Sequence, residues 1–147
     1  MNELDQKYRT MVILWAILLF SQLLFVVVIY SAKGGEIVLD PGQSLLGDLS
    51  PIVIGAAMLA FANLVISFVL RKKIIEQGIG EQKPQYIQTA LILGCAICEV
   101  ISITGLVLAL VFHYPYFYLW LTLGFIGIFL HFPRYRHLEA ASMNQQK

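Results

Sequence analysis

The sequence predicts an all-α integral membrane protein with four transmembrane helices. Of its 147 residues, 59% are hydrophobic and only 13% are charged, whereas charged residues make up about a quarter of a typical soluble domain. The apolar residues are concentrated in four runs, each near or above the roughly 18 residues that indicate a bilayer span. No polar segment between the runs is long enough to form a soluble domain. We therefore interpret residues 1–147 as a single transmembrane domain.

The four predicted spans differ in how they are bounded. The first has Trp15 and Tyr30 toward its ends, where aromatic rings favour the membrane interface. It is not followed by a cleavage site of the Ala-x-Ala type, so we interpret it as a retained helix rather than a signal peptide. Aromatic residues crowd the start of the fourth span and are typical of an interfacial belt. The spans cover about 10–30, 51–70, 86–112 and 115–132.

Small residues recur at helical spacing in the second and third spans. Such stripes let membrane helices approach closely. We therefore expect the second and third helices to form a close antiparallel hairpin. The third span also contains a Cys-x-x-Cys spacing, but at hydrocarbon depth and without a second pair, so we interpret both cysteines as small buried residues. The packing residues predicted in the third span are Gly94, Cys98, Gly105 and Ala109.

The orientation follows from the lysines and arginines of the short loops. The loop after the first span holds one lysine and three acidic residues, whereas the loop after the second span holds four basic residues. Basic residues also flank the two ends of the chain. We therefore expect both termini and the middle loop to be cytoplasmic. The basic residues of the lead, the middle loop and the tail are Lys7, Arg9, Arg71, Lys72, Lys73, Lys83, Arg134, Arg136 and Lys147.

One carboxylate, Glu99, lies at the middle of the third span. A charge at the bilayer centre costs at least roughly 2.5–3.5 kcal/mol, so such residues usually face protein or water. The spans contain no lysine or arginine that could pair with Glu99. Desolvation disfavours the charged form, and we therefore expect Glu99 to be protonated at rest. The residues at similar depth that are candidates for supporting it are Gln22, Asn63, Ser102 and Thr104.

Other kinds of site receive no support from the sequence. Signatures of zinc proteases, serine hydrolases and phosphate-binding loops are absent. His113 and His131 fall near the predicted interfaces, where a solvated or belt position is more usual than metal binding. The net charge of +1 does not indicate a nucleic-acid partner. We expect no enzymatic activity, no resident metal and no cofactor.

Two segments of the third span resemble a known family. Residues 89–99 (TALILGCAICE) and 104–110 (TGLVLAL) resemble the second helix of the proteolipid c subunit of rotary ATP synthases, and the similarity extends loosely over the hairpin 51–112. The resemblance implies that Glu99 matches the ion-binding carboxylate of that family, which takes up and releases a proton as a ring of subunits turns past a partner's arginine. Val100 stands where sodium-binding versions have Ser or Thr, so the resemblance implies a proton.

Two functions are consistent with these observations. The first is a c-subunit-like membrane protein in which Glu99 binds a proton within a larger ion-translocating assembly. The second is a structural or assembly subunit in which Glu99 makes a hydrogen bond between helices. Both place the chain in the lipid bilayer with other membrane subunits or further copies of itself as partners. The absence of a transit peptide and the family resemblance favour a bacterial inner membrane.

Overall fold

The computed structural model describes residues 3–34, 44–45 and 50–143. The described chain is helical and contains no β-strand within these ranges. This confirms the predicted all-α class. The acidic residues of the predicted outer loop (Glu36, Asp40 and Asp48) and Lys147 in the tail lie outside the described residues. The helices are α1 (Glu3–Ala32), α2 (Ser50–Gly80), α3 (Gln85–Leu110), α4 (Tyr118–Leu130) and α5 (Tyr135–Ala140).

Three helices, α1, α2 and α3, are long and apolar enough to cross a membrane. The fourth apolar helix, α4, has 13 residues, which corresponds to roughly 20 Å of helix against a hydrocarbon core about 30 Å thick. It is shorter than the predicted span because residues 115–117 form a turn before it and the helix ends at Leu130. The structure therefore shows an integral membrane fold with three long helices and one short apolar helix.

Large apolar side chains cover the outside of the bundle. Phe20, Met58 and Phe61 are each more than 65% exposed, and many other aliphatic side chains of α1 and α2 are exposed as well. Contiguous exposed apolar surface of this kind is characteristic of a membrane or protein interface. The exposed surface therefore supports an integral membrane location independently of helix length.

Helix α3 is the centre of the bundle, with contacts to α1, α2 and α4. Its contact with α2 is the most extensive in the described structure, and a turn at residues 81–84 joins the two helices. Gln82 adopts a positive φ of 54° in this turn. Its side-chain amide donates to the Ile79 carbonyl at 2.7 Å, which gives one of the last carbonyls of α2 a partner.

Both ends of the described chain lie at one end of the bundle, together with the turn at 81–84. The Tyr135 hydroxyl lies 3.3 Å from a carboxylate oxygen of Asp5, and the Gln82 amide donates to the Ala140 carbonyl at 3.2 Å. We call this the α5 end. At the opposite end, the Tyr114 hydroxyl donates to the Leu45 carbonyl at 2.7 Å. Helices α1 and α3 therefore run parallel to each other, and α2 runs antiparallel to both.

Candidate functional site

The Glu99 carboxyl group faces α1. Its Oε1 lies 2.8 Å from the Ser21 hydroxyl oxygen, and the same hydroxyl oxygen lies 2.7 Å from the Leu18 carbonyl of its own helix. Glu99 is half-buried. Within the described part of the chain, no cationic nitrogen lies within 4 Å of its carboxylate. The carboxyl group is thus held by a neutral hydroxyl at the α1–α3 contact.

A second hydrogen bond joins the same two helices about one turn further along. The buried Ser102 hydroxyl donates to the side-chain oxygen of Gln22. Because α1 and α3 are parallel, the pairs Ser21–Glu99 and Gln22–Ser102 follow each other along the contact. The amide nitrogen of Gln22 is buried, and no described residue accepts a hydrogen bond from it.

The four residues expected to support Glu99 do not hydrogen-bond to it in the described structure. Gln22 and Ser102 bond to each other instead. The Thr104 hydroxyl donates to the Val100 carbonyl of its own helix at 2.9 Å. Asn63 lies on α2, and its buried amide nitrogen has no partner among the described residues. These residues were selected by their position along each span, but the rotation of each helix about its axis determines which of them meet.

Sequence reasoning missed Ser21 as the partner of Glu99. The signal was present, because Ser21 and Gln22 together interrupt the first apolar run near its centre. Adjacent residues on a helix point about 100° apart, so only one of the two can face Glu99. The choice between them depends on how α1 is rotated against α3.

The predicted packing residues lie at close helix contacts, but the glycines contact α4 rather than α2. A Cβ atom added at Gly94 would lie 2.8 Å from Nε2 of His131, and one added at Gly105 would lie 2.8 Å from Cβ of Trp120. Ala109 is fully buried in the core. The expected close approach through glycines therefore occurs at a different pair of helices, because α4 presents Gly124 and Gly127 to the opposite side of the same contact.

Cys98 lies where three helices meet. Its thiol is 3.4 Å from the Ser67 hydroxyl of α2, and a Cβ atom at Gly127 of α4 would lie 2.8 Å from its sulfur. Cys95 and Cys98 are both buried and carry free thiols. No group of three or more potential metal ligands occurs in the described ranges. The geometry is that of small buried side chains in a helix contact.

His131 was expected near an interface in a solvated or belt position, and this expectation is wrong. The residue is fully buried. Its Nδ1 lies 2.7 Å from the Gly127 carbonyl, and its ring packs against Phe68 with centroids 4.6 Å apart. Its Nε2 has no hydrogen-bond partner among the described residues. The ring is accommodated because Gly94 leaves room for it on α3.

These residues form a polar layer inside an otherwise apolar bundle. We define this layer as Ser21, Gln22, Ser67, Cys98, Glu99 and Ser102. Among these side chains, Glu99 carries the carboxyl group, which can exist as a neutral acid or as an anion. The layer can therefore hold a proton at Glu99 and can contribute hydrogen bonds between helices. No protein-family model matches this chain, and no curated protein or solved structure is significantly similar to it.

Proposed function

We propose that this chain is an integral membrane protein in which Glu99 binds and releases a proton, acting as part of a larger ion-translocating assembly. The observation that carries the proposal is the position of the Ser21 hydroxyl between two acceptors. It lies 2.8 Å from Glu99 Oε1 and 2.7 Å from the Leu18 carbonyl oxygen. Because a hydroxyl has one proton to donate, it can serve only one of them.

A protonated Glu99 resolves this competition. The Ser21 hydroxyl then donates to the Leu18 carbonyl, and the Glu99 carboxyl group donates its own proton to the Ser21 oxygen. An ionised Glu99 would leave one of the two acceptors without a donor from Ser21. The Leu18 carbonyl keeps its backbone hydrogen bond within α1 in either case. A charge within a membrane-spanning helix is costly, and no cation lies within 4 Å of the carboxylate in the described structure. The arrangement gives the proton of a neutral Glu99 a hydrogen-bond acceptor, the Ser21 oxygen.

The position of Glu99 also suits exchange with a partner. One turn away on each side along α3, Ala96 and Ile103 are exposed, so the carboxyl group lies at the edge of the α1–α3 contact rather than in the bundle centre. A positive group that would stabilise the ionised form must come from outside the described chain. This agrees with the resemblance to c subunits, which implies an arginine on a partner subunit.

We further propose a bacterial inner membrane with both termini in the cytoplasm. The α5 end gathers the start of the chain, the turn at 81–84 and α5. These are the segments whose basic residues predicted a cytoplasmic location by the positive-inside rule. Their shared position supports the proposed orientation, and cysteine-accessibility mapping in intact spheroplasts would test it.

The proton-binding proposal is tested with dicyclohexylcarbodiimide, which attacks protonated carboxyl groups in apolar surroundings. The protein is reconstituted in liposomes, labelled over a range of pH and analysed by peptide mass spectrometry. We expect modification of Glu99 that fades as the pH rises, with no modification of that peptide in Glu99→Gln. Glu76, whose side chain is 63% exposed, is the internal control carboxylate. Absence of Glu99 labelling at every pH would contradict the proposal.

The assembly part of the proposal needs a separate measurement. In native membranes, Glu99→Gln should abolish proton transport by the complex that copurifies with the chain, while the amount of the chain in the membrane stays unchanged. Ser102→Ala is a matched control, because it alters the same polar layer without removing a titratable group. Undiminished proton transport in Glu99→Gln would refute the transport role.

A second candidate function is a structural subunit, and the hydrogen bonds between α1 and α3 favour it. Ser21–Glu99 and Gln22–Ser102 join these helices regardless of any proton movement. Hydrogen bonds of this kind contribute about 0.6 kcal/mol on average in membrane proteins. On this hypothesis Glu99→Gln is nearly silent, whereas a bulky residue at Gly105 disrupts packing and association.

A further inference from the structure

A cavity of about 440 Å³ opens at the α5 end, between the last turns of α2, the end of α4 and α5. Its lining has two chemically different parts. Four apolar side chains, from Phe68, Ile75, Ile79 and Leu130, form one part. Charged and polar side chains from α2 and the α5 segment form the other. A single ligand that fills this cavity must therefore have an apolar part and a polar part.

The polar part of the lining is predominantly basic. Arg71, Lys72 and Arg134 contribute three positive charges, and Glu76 contributes one negative charge. Glu76 is 3.8 Å from Lys72, and both side chains are more than 60% exposed. Arg134 has no ion-pair partner within 4 Å in the described ranges. The excess of positive charge favours an anionic ligand.

The fifth polar group of the lining is His137. Burial lowers the pKa of His137, and the charges of Arg71, Arg134 and Arg136 lower it further. The imidazole is therefore neutral near pH 7, so it adds no positive charge beside the three arginines. It can still donate a hydrogen bond to an anion without adding another positive charge.

Arg71 is held in place at the base of this cluster. Its guanidinium donates to the Phe132 carbonyl at 3.0 Å and to the Leu130 carbonyl at 3.5 Å, so it caps the end of α4. Its Nε is buried and has no partner among the described residues. A guanidinium fixed by two carbonyls is a preorganised charge, and arginine is well suited to binding phosphate oxygens.

The position of the cavity relative to the membrane selects the ligand. Arg71 directly follows the apolar stretch of α2, and Phe68 and Leu130 lie on its membrane side. The basic side chains thus fall at headgroup depth, and Phe68 and Leu130 fall beside the acyl chains. Basic pockets between membrane helices bind the headgroups of anionic lipids. We propose that this cavity binds an anionic phospholipid, with its phosphate at Arg71 and Arg134 and an acyl chain along Phe68 and Leu130.

Native mass spectrometry of the full chain in detergent tests the proposal, with phosphatidylglycerol, phosphatidylcholine and inorganic phosphate as separate probes. We expect phosphatidylglycerol to be retained in preference to phosphatidylcholine. Arg134→Gln should weaken retention about fivefold, given the contribution expected of one basic residue. Arg136→Gln is the matched control, because Arg136 is the neighbouring exposed arginine that does not line the cavity. Arg71 is avoided as the first variant because it also caps α4.

Three results would overturn the proposal. Equal retention of phosphatidylglycerol and phosphatidylcholine would exclude recognition of an anionic headgroup. An equal loss in Arg134→Gln and Arg136→Gln would show general attraction to a basic surface rather than a site. Displacement of phosphatidylglycerol by millimolar inorganic phosphate would assign the cavity to a free anion and not to a lipid. The lipid site and the proton site at Glu99 are independent, so neither result depends on the other.

Discussion

Replacing Gly105 by alanine probes the close contact between α3 and α4. The new Cβ atom would lie 2.8 Å from Cβ of Trp120 and 3.0 Å from the Phe117 carbonyl oxygen. Neither atom is the flexible end of a side chain, so α4 must shift away from α3 by several tenths of an ångström. Overpacking of this kind typically costs about 1–3 kcal/mol.

The control for this change is Gly55→Ala. Gly55 also lies inside a helix, but no atom outside its local backbone lies within 4 Å of an added Cβ. Both substitutions replace a helical glycine by alanine, which changes helix propensity by up to about 1 kcal/mol in the favourable direction. This contribution is common to both variants, so their difference isolates the overpacking. We expect Gly105→Ala to be less stable than Gly55→Ala by about 1–3 kcal/mol.

The measurement is reversible unfolding of the two variants and the wild type in mixed micelles, followed by circular dichroism. We expect Gly55→Ala to be at least as stable as the wild type and Gly105→Ala to be less stable than Gly55→Ala. Equal stability of the two variants would show that α3 and α4 are not in close contact at Gly105, and the arrangement of α4 would have to be revised.

Two further predictions concern the α5 end. In the folded state the pKa of His137 is lowered from its ordinary value of 6.5. The unfolded state therefore binds more protons, and the free energy of unfolding falls as the pH drops below about 6.5. This loss of stability levels off once the pH is below the folded-state pKa. His137→Gln should reduce this dependence of the melting temperature on pH, and an unchanged dependence would contradict the assignment. Arg71→Gln should destabilise the protein by about 1–3 kcal/mol, because it leaves the Phe132 carbonyl without its charged donor. Lys72→Gln is the matched control in the same melting experiment, since the side chain of Lys72 is 78% exposed. Equal destabilisation by the two substitutions would argue against Arg71 as a cap of α4.

Much of the architecture was predictable from local sequence. The four apolar runs were located correctly as helices, because run length and composition are sufficient to identify them. Their ends were less predictable. Helix α2 continues to Gly80 through residues interpreted as loop, and α4 begins at Tyr118 after the turn at 115–117. Polar residues do not by themselves end a helix, so the loss of hydrophobicity at Arg71 marked the end of the apolar stretch and not of the helix.

The candidate carboxylate could be selected from the sequence, but its contacts could not be predicted from it. Glu99 was recognised because a carboxylate in an apolar run is unusual whatever surrounds it. Its partner Ser21, the bond between Gln22 and Ser102, and the burial of His131 all depend on how the helices are rotated about their axes. In a soluble helix, the boundary between apolar and polar faces reveals that rotation. In a membrane helix the outward face is as apolar as the inward one, because lipid tails are as apolar as leucine.

The sequence by itself therefore determined that the chain is helical, that it has the apolar helices of an integral membrane protein and that one carboxyl group lies near the middle of the third apolar run, since each of these depends on composition along a single segment. Only the tertiary structure decided that Gly94 and Gly105 pack against α4, that Glu99 meets Ser21, and that the basic residues of α2 and the α5 segment surround one cavity. These features arise from contacts between segments far apart in the chain. Their physical cause is the relative rotation of helices whose inner and outer faces have nearly the same polarity.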